Sequence, residues 1–122
     1  MNKQTSRVAL VTGACGGIGK ALVNKYISQD ISVAVADKSK EEVNMLVEEI
    51  QRNGGMAMAF PGDLIDKNYC DQLPNKVKEQ FGRIDILVNN AGFAIYGSVS
   101  DITIDEIESQ METNYFGMIY CI

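Results

Sequence analysis

Apolar residues in this chain fall into short, mostly apolar runs, separated by stretches in which they recur every third or fourth position. The runs are Val8 to Val11, Ile31 to Ala36, Met56 to Phe60 and Ile84 to Val88. Their length and lack of alternation predict strands buried on both faces, as in a parallel sheet. Between them lie helical patterns. Ile18, Ala21, Leu22 and Tyr26 make the first, which should end near Gln29-Asp30. Val43, Leu46, Val47 and Ile50 make the second, opened by Ser39 with Glu42 in the form of a capping box and closed by Asn53-Gly54-Gly55. The third carries Tyr69, Leu73 and Val77, with Asp66 as its cap, Gly82 at its end and Pro74 expected to kink or split it. Thr103 with Glu106 caps the last, which carries Ile107, Met111, Tyr115 and Met118 on one face.

Strands alternating with helices imply right-handed βαβ units and an α/β fold with a parallel sheet. The expected architecture is a doubly wound, Rossmann-type sheet, whose strand order begins 3-2-1-4. Residues 1–122 then read as one dinucleotide-binding domain that is incomplete at its C-terminus, truncated after the fourth strand and within the following helix. A sheet ending on strand four leaves an apolar edge, so a homo-oligomer or a covering partner is expected.

The candidate chemistry sits at the strand ends. Thr12-Gly-Ala-Cys-Gly-Gly-Ile-Gly19 joins the first strand to the first helix. Such a glycine-rich elbow brings a backbone close to a pyrophosphate, with the helix N-terminus facing the charge. Two spacings coexist in it: Gly13, Gly17 and Gly19 fit G-x-x-x-G-x-G, whereas Gly13, Gly16 and Gly19 fit G-x-x-G-x-x-G. The loop itself does not choose between them. Asp37 ends the second strand, 18 positions after Gly19. A carboxylate there can accept hydrogen bonds from ribose hydroxyls and would repel the extra phosphate of NADP, or it can serve as a loop or capping residue. Lys38 beside it could accommodate that phosphate. Asp63-Leu64 follows the third strand and Asn89-Asn-Ala-Gly92 the fourth, so four strand ends converge on one sheet edge, where open α/β sheets bind ligands.

Composition narrows the class of partner. Eleven Lys+Arg against sixteen Asp+Glu leave a net charge of -5, with the basic residues scattered, which argues against nucleic acid or an anionic membrane. No apolar run approaches the roughly 20 residues needed to span a bilayer. Cys15, Cys70 and Cys121 show no paired spacing and read as reduced thiols of a cytoplasmic protein. With no histidine in the sequence, no His-based metal site is expected. Cys15 stands where a helix N-terminus could lower its pKa; a small residue filling a loop is the preferred reading.

The elbow Thr12 to Gly19, Asp37, Asp63-Leu64, Asn89-Asn-Ala-Gly92 and Asn114 occur in the order and spacing of the short-chain dehydrogenase/reductase family, which this chain resembles over nearly its whole length. Phe81-Gly-Arg-Ile-Asp-Ile-Leu-Val88 also looks like that family. The Asn-Asn-Ala-Gly motif favours the first glycine spacing. The resemblance implies hydride transfer between a nicotinamide cofactor, NAD in preference to NADP, and a small-molecule alcohol or ketone. It implies that Gly13, Cys15, Gly16, Gly17, Ile18 and Gly19 face the cofactor, that Asp37 with Lys38 takes the adenosine ribose, and that Asp63-Leu64 takes the adenine edge. Asn90, Ala91 and Gly92 would lie along the nicotinamide-side ribose. Asn114 resembles the active-site asparagine; taken alone it is equally a locally satisfied helix amide. Phe93, Ile95 and Tyr96 would border the substrate, or pack locally.

The sequence departs from the family in its catalytic centre. The family uses a tyrosine with a lysine four positions later, and a nearby serine. Four positions after Tyr26, Tyr69, Tyr96 and Tyr115 stand Asp30, Leu73, Ser100 and Ile119, and the sequence ends before that position for Tyr120. This chain is therefore expected to supply the cofactor-binding half of an oxidoreductase and to be inactive alone. The alternative is a non-catalytic nucleotide-binding or interaction module.

Overall fold

The computed structural model describes residues 6–92 and 97–122. Phe93, Ile95 and Tyr96, expected to border the substrate or pack locally, lie outside these residues. Strands β1 (Val8–Thr12), β2 (Ser32–Ala36), β3 (Ala57–Ala59) and β4 (Ile86–Val88) form one parallel sheet in the order β3-β2-β1-β4. Helices α1 (Gly17–Ser28), α2 (Lys40–Arg52) and α3 (Lys67–Phe81) connect them, and α4 (Ile104–Met111) follows β4. A π-helical segment, Glu112–Phe116, joins α4 to α5 (Gly117–Cys121).

β1 lies between β2 and β4, with Leu10 in register with Ala34 on one side and Leu87 on the other. Every residue of β1 and β2 is buried. Because successive strand residues face opposite sides, β1 feeds two cores. Ala9 and Val11 pack with Val23 of α1 and Val43, Leu46, Val47 and Ile50 of α2. Val8 and Leu10 pack with Cys70, Leu73 and Val77 of α3 and Cys121 of α5. This is the doubly wound arrangement that the alternating pattern predicts. β4 has a strand neighbour only on its β1 side among the described residues, and its three residues are half-buried.

Three local expectations are corrected. The buried face of α1 centres on Gly19 and Val23, while Ile18 is 70% exposed. The glycine allows the helix to sit directly on the β1–α1 turn, which rotates Ile18 outward. Pro74 does not split α3, which runs unbroken from Lys67 to Phe81. Proline removes one backbone bond, and the packing of Cys70, Leu73 and Val77 on the sheet outweighs that loss. β4 starts at Ile86 rather than Ile84, because the Asp85 carboxylate takes the Val8 amide at 2.8 Å in place of a ladder carbonyl. Arg83 grips the same carboxylate at 2.6 and 2.8 Å, and these bonds hold Asp85 below the usual carboxylate range.

Candidate functional site

The carboxyl ends of the strands are laced together by Thr12. This buried residue ends β1, and its Oγ1 donates to Val88 O at 3.3 Å. The same oxygen accepts the amides of Asn90 at 3.1 Å and Ala91 at 3.2 Å. Asn90 Nδ2 donates to Gly13 O at 3.1 Å. The loop after β4 is thus fixed against the loop after β1, two segments almost eighty positions apart. The approach is so close that a Cβ on Gly13, which has φ of 62°, would stand 2.8 Å from Ala91 Cα.

The glycines of the elbow divide by what a side chain would meet. A Cβ on Gly19 would overlap the Gly13 carbonyl oxygen, so Gly19 is needed for the α1–β1 contact. A Cβ on Gly17 would meet nothing within 4 Å, and one on Gly16 would make an ordinary 3.6 Å contact. Gly16 caps α1 without a side-chain hydrogen bond. The first amides of the helix are thus without a side-chain cap where Gly16, Gly17 and Ile18 line the cleft, and they carry the partial positive charge of a helix N-terminus.

Asp37 closes the same wall. Its Oδ2 accepts the Cys15 amide at 3.0 Å and its Oδ1 the Lys38 amide at 2.7 Å. The Cys15 thiol is pushed up rather than down, by burial first and then by the negative charges of Asp37 and Glu42. Its position near a helix N-terminus does not activate it. On the far side, the Asp63 carboxylate accepts the Ile65 amide at 3.1 Å and orders the turn after β3. Tyr69 lies beneath that turn. Its hydroxyl donates to Phe60 O at 2.5 Å, and its ring occupies the space where Gly62 would carry a Cβ.

These walls enclose a cleft of about 760 Å³. Of the residues predicted from sequence, Gly13, Gly16, Gly17, Ile18, Asp37, Lys38, Asp63, Leu64, Asn90, Ala91 and Gly92 line it. Cys15 and Gly19 do not: Gly19 is buried in the helix contact behind it, and Cys15 presents its amide to Asp37. Asn114 is not on the lining either, but its side chain reaches the cleft rim, where a Cβ on Gly92 would be 2.9 Å from Asn114 Oδ1. Sequence reasoning missed Gly62, Ile65 and Tyr69, and it missed Asp105, Glu106, Ser109 and Thr113 on the opposite wall. Polar residues at four-residue spacing on an otherwise amphipathic helix, Ser109 and Thr113, were the available signal. Among the described residues no group of three or more His, Cys, Asp or Glu could hold a metal ion, and no helix is long and apolar enough to cross a membrane.

A parallel sheet with a glycine-rich elbow, a carboxylate at the end of β2 and one cleft across the strand ends defines a dinucleotide-binding α/β protein. Residues 7–122 match the family model for short chain dehydrogenases, and the chain belongs to that family. It is 33% identical over 116 residues to meso-2,3-butanediol dehydrogenase of Serratia marcescens, covering 95% of this chain and 45% of that one. An uncharacterized oxidoreductase of Thermotoga maritima is 38% identical over 117 residues, covering 96% of this chain and 45% of its own. Among solved structures, a short chain dehydrogenase from Burkholderia cenocepacia J2315 in complex with NADP superposes with a TM-score of 0.90 at 33% identity, covering 98% of this chain and 49% of that one. The chain spans about half the length of the relatives it matches.

Proposed function

We propose that this chain forms the cofactor-binding half of an oxidoreductase that moves a hydride between NAD(H) and a secondary alcohol or ketone. The observation that carries the reading is Asp37, a carboxylate held at the cleft wall by two backbone amides beside the open N-terminus of α1. The residues present fit a dinucleotide. Gly16 and Gly17 leave a cradle that a side chain would fill, and the helix end offers donors to a pyrophosphate. Asp37 would receive the adenosine ribose hydroxyls, the Asp63-Leu64 turn the adenine edge, and Asn90 to Gly92 the nicotinamide-side ribose. NAD(H), when bound, supplies the hydride chemistry.

NAD is favoured over NADP because Asp37, Asp63, Asp105 and Glu106 all border the cleft, with Lys38 as the cation among the lining residues. A 2′-phosphate would meet mainly like charge there. Relatives solved with NADP or NADPH argue the other way for themselves, and direct binding decides for this chain. Tighter binding of NADH than of NADPH is expected; equal affinities would remove the assignment of Asp37. Asn114, at the rim beside Gly92, is assigned to the reacting end of the cleft. The proton donor is assigned to the part of the relatives' length that this chain does not span, since residues 1–122 contain no Tyr-x-x-x-Lys. A ketone-reduction assay comparing this chain with an extended one tests that point. Turnover from residues 1–122 alone would place the donor within them.

Self-association belongs to the same reading. The outer edge of β4 is unpaired among the described residues, and Ile107, Met111, Tyr115, Phe116 and Ile119 are exposed. Sedimentation at high concentration should show an assembly; a monomer would count against it.

A further inference from the structure

Cys70 and Cys121 stand on different helices, α3 and α5, and meet in the core between those helices and the sheet. Both are free thiols, 0% and 2% exposed. Cys121 is in side-chain hydrogen-bond contact with Cys70, and Cys70 Sγ donates to Leu64 O at 3.3 Å. The two sulfurs are therefore neighbours, and one of them holds a carbonyl of the turn after β3. Leu64 lines the cleft. Nothing in the proposed hydride transfer uses either thiol.

Packed as they are, the two thiols are unreactive. Burial raises both, and it is the thiolate that attacks a disulfide. Reaction needs α5 to part from α3, and α5 is lightly held: its buried residues are Gly117 and Cys121, while Met118 and Ile119 are exposed. Segments with little buried apolar surface open locally at less cost than global unfolding. We infer that Cys70 and Cys121 form a redox-sensitive pair, joined as a disulfide by a low-molecular-weight disulfide such as oxidised glutathione. In the opened chain one thiol loses its proton to water and attacks the glutathione disulfide, releasing a glutathione thiolate. The second, deprotonated in turn, attacks the protein sulfur of the mixed disulfide and releases the other glutathione thiolate. Both released thiolates take up a proton. The protein loses two electrons and two protons, and the glutathione disulfide becomes two thiols. The product has no S–H at position 70, so Leu64 O loses its donor and the cleft wall loses a support. Oxidation thus weakens binding in the cleft, a consequence that rests on the dinucleotide reading.

The test incubates the reduced chain with oxidised glutathione, digests it with trypsin without reduction, and weighs the peptides. Lys76 and Arg83 separate the two cysteines into different peptides. A Cys70–Cys121 bridge should appear as a joined pair lighter by two hydrogens, and dithiothreitol should part it. Titration of the same samples should show NADH bound about two- to tenfold more weakly after oxidation, the worth of one neutral hydrogen bond, with recovery on reduction. Cys121→Ser, or Cys121→Ala should the serine variant fail to fold, should give no bridge and keep its NADH affinity under the same treatment. Cys15 in the elbow is the competing site. A loss of affinity in the Cys121 variant equal to that of wild type assigns the effect to Cys15 and overturns the inference. So does a wild type that yields only glutathione adducts, or no product. A bridge with unchanged NADH affinity overturns the link to the cleft. Failure of the reduced wild type to bind NADH overturns the dinucleotide reading, while the mass of the joined peptides still decides the pair.

Discussion

The Cys15 amide donates to Asp37 Oδ2 at 3.0 Å, tying the end of β2 to the glycine-rich elbow after β1. The carboxylate is thereby held in place before any ligand arrives, and its Oδ1 is oriented by the Lys38 amide. Preorganised acceptors lose little on binding. Asp37→Ala should weaken NADH by about tenfold or more, the usual worth of charge-assisted hydrogen bonds. NADPH should gain, so the ratio of the two affinities moves toward NADPH. Fluorescence titration of both nucleotides measures it, and an unchanged ratio would contradict the role.

Thr12 invites a stability measurement. Thr12→Val strands the Ala91 amide and leaves the Asn90 amide with Val88 O alone, and the Val88 carbonyl loses the hydroxyl donor. A loss of about 1–3 kcal/mol is expected from urea unfolding, since an amide left without a partner bears its full desolvation penalty. Thr12→Ser, which keeps the oxygen, should recover most of it. A neutral Thr12→Val would mean that water replaces the hydroxyl without cost.

The glycines offer a paired contrast. Gly19→Ala drives a methyl into the Gly13 carbonyl and should unfold or severely destabilise the chain. Gly17→Ala meets no protein atom within 4 Å and should stabilise it by about 0.4–1 kcal/mol through a stiffer unfolded chain. Its cost should appear instead in nucleotide affinity, about ten- to hundredfold, if the pyrophosphate packs there. Melting curves and titrations on the two variants separate the roles. Full nucleotide affinity in Gly17→Ala would show that the cradle is not used.

Alkali should loosen the fold before it affects most surface charges. Burial pushes the Cys70 thiol from about 9 up to about 12, and burial also raises the Tyr69 phenol above its ordinary value near 10. Both groups are neutral in the folded state over a range where the unfolded chain ionises. Their contribution is therefore complete below pH 9 and declines as pH rises toward the folded-state values. Denaturation midpoints at pH 8 and pH 10.5 should differ, with the lower stability at the higher pH. Tyr69→Phe should narrow the difference by removing the phenol, while losing the bond to Phe60 O.

Much of this architecture is visible in local sequence, because short β-branched-rich apolar runs bounded by turn residues fit strands buried on both faces. The Val43, Leu46, Val47 and Ile50 face of α2 is buried as its spacing predicts. The face of α1 was misread for a physical reason: hydrophobicity singles out Ile18, whereas the contact is made by Gly19, whose value is its lack of a side chain. Pro74 does not split α3, since propensity says nothing of the sheet beneath that helix. On the cleft, residues that follow a strand directly were legible, as topology puts them at one edge. Asp105, Glu106 and Ser109 of α4 and Thr113 of the π-helical segment were not, because a long connection separates them from the end of β4.

The tie between Thr12 and the Asn90-Ala91 backbone has a kinetic corollary. It spans 79 positions of the chain, so pairing β1 with β4 carries a larger loop-closure cost than pairing β1 with β2. Bringing distant segments together must precede the contacts that reward it, so pairings of large sequence separation tend to form late. A chain emerging N-terminus first would display its glycine-rich elbow well before the opposing loop exists. On that expectation the cleft is a product of β4 docking on β1 rather than a motif that matures locally, and ligand-binding competence would report that docking.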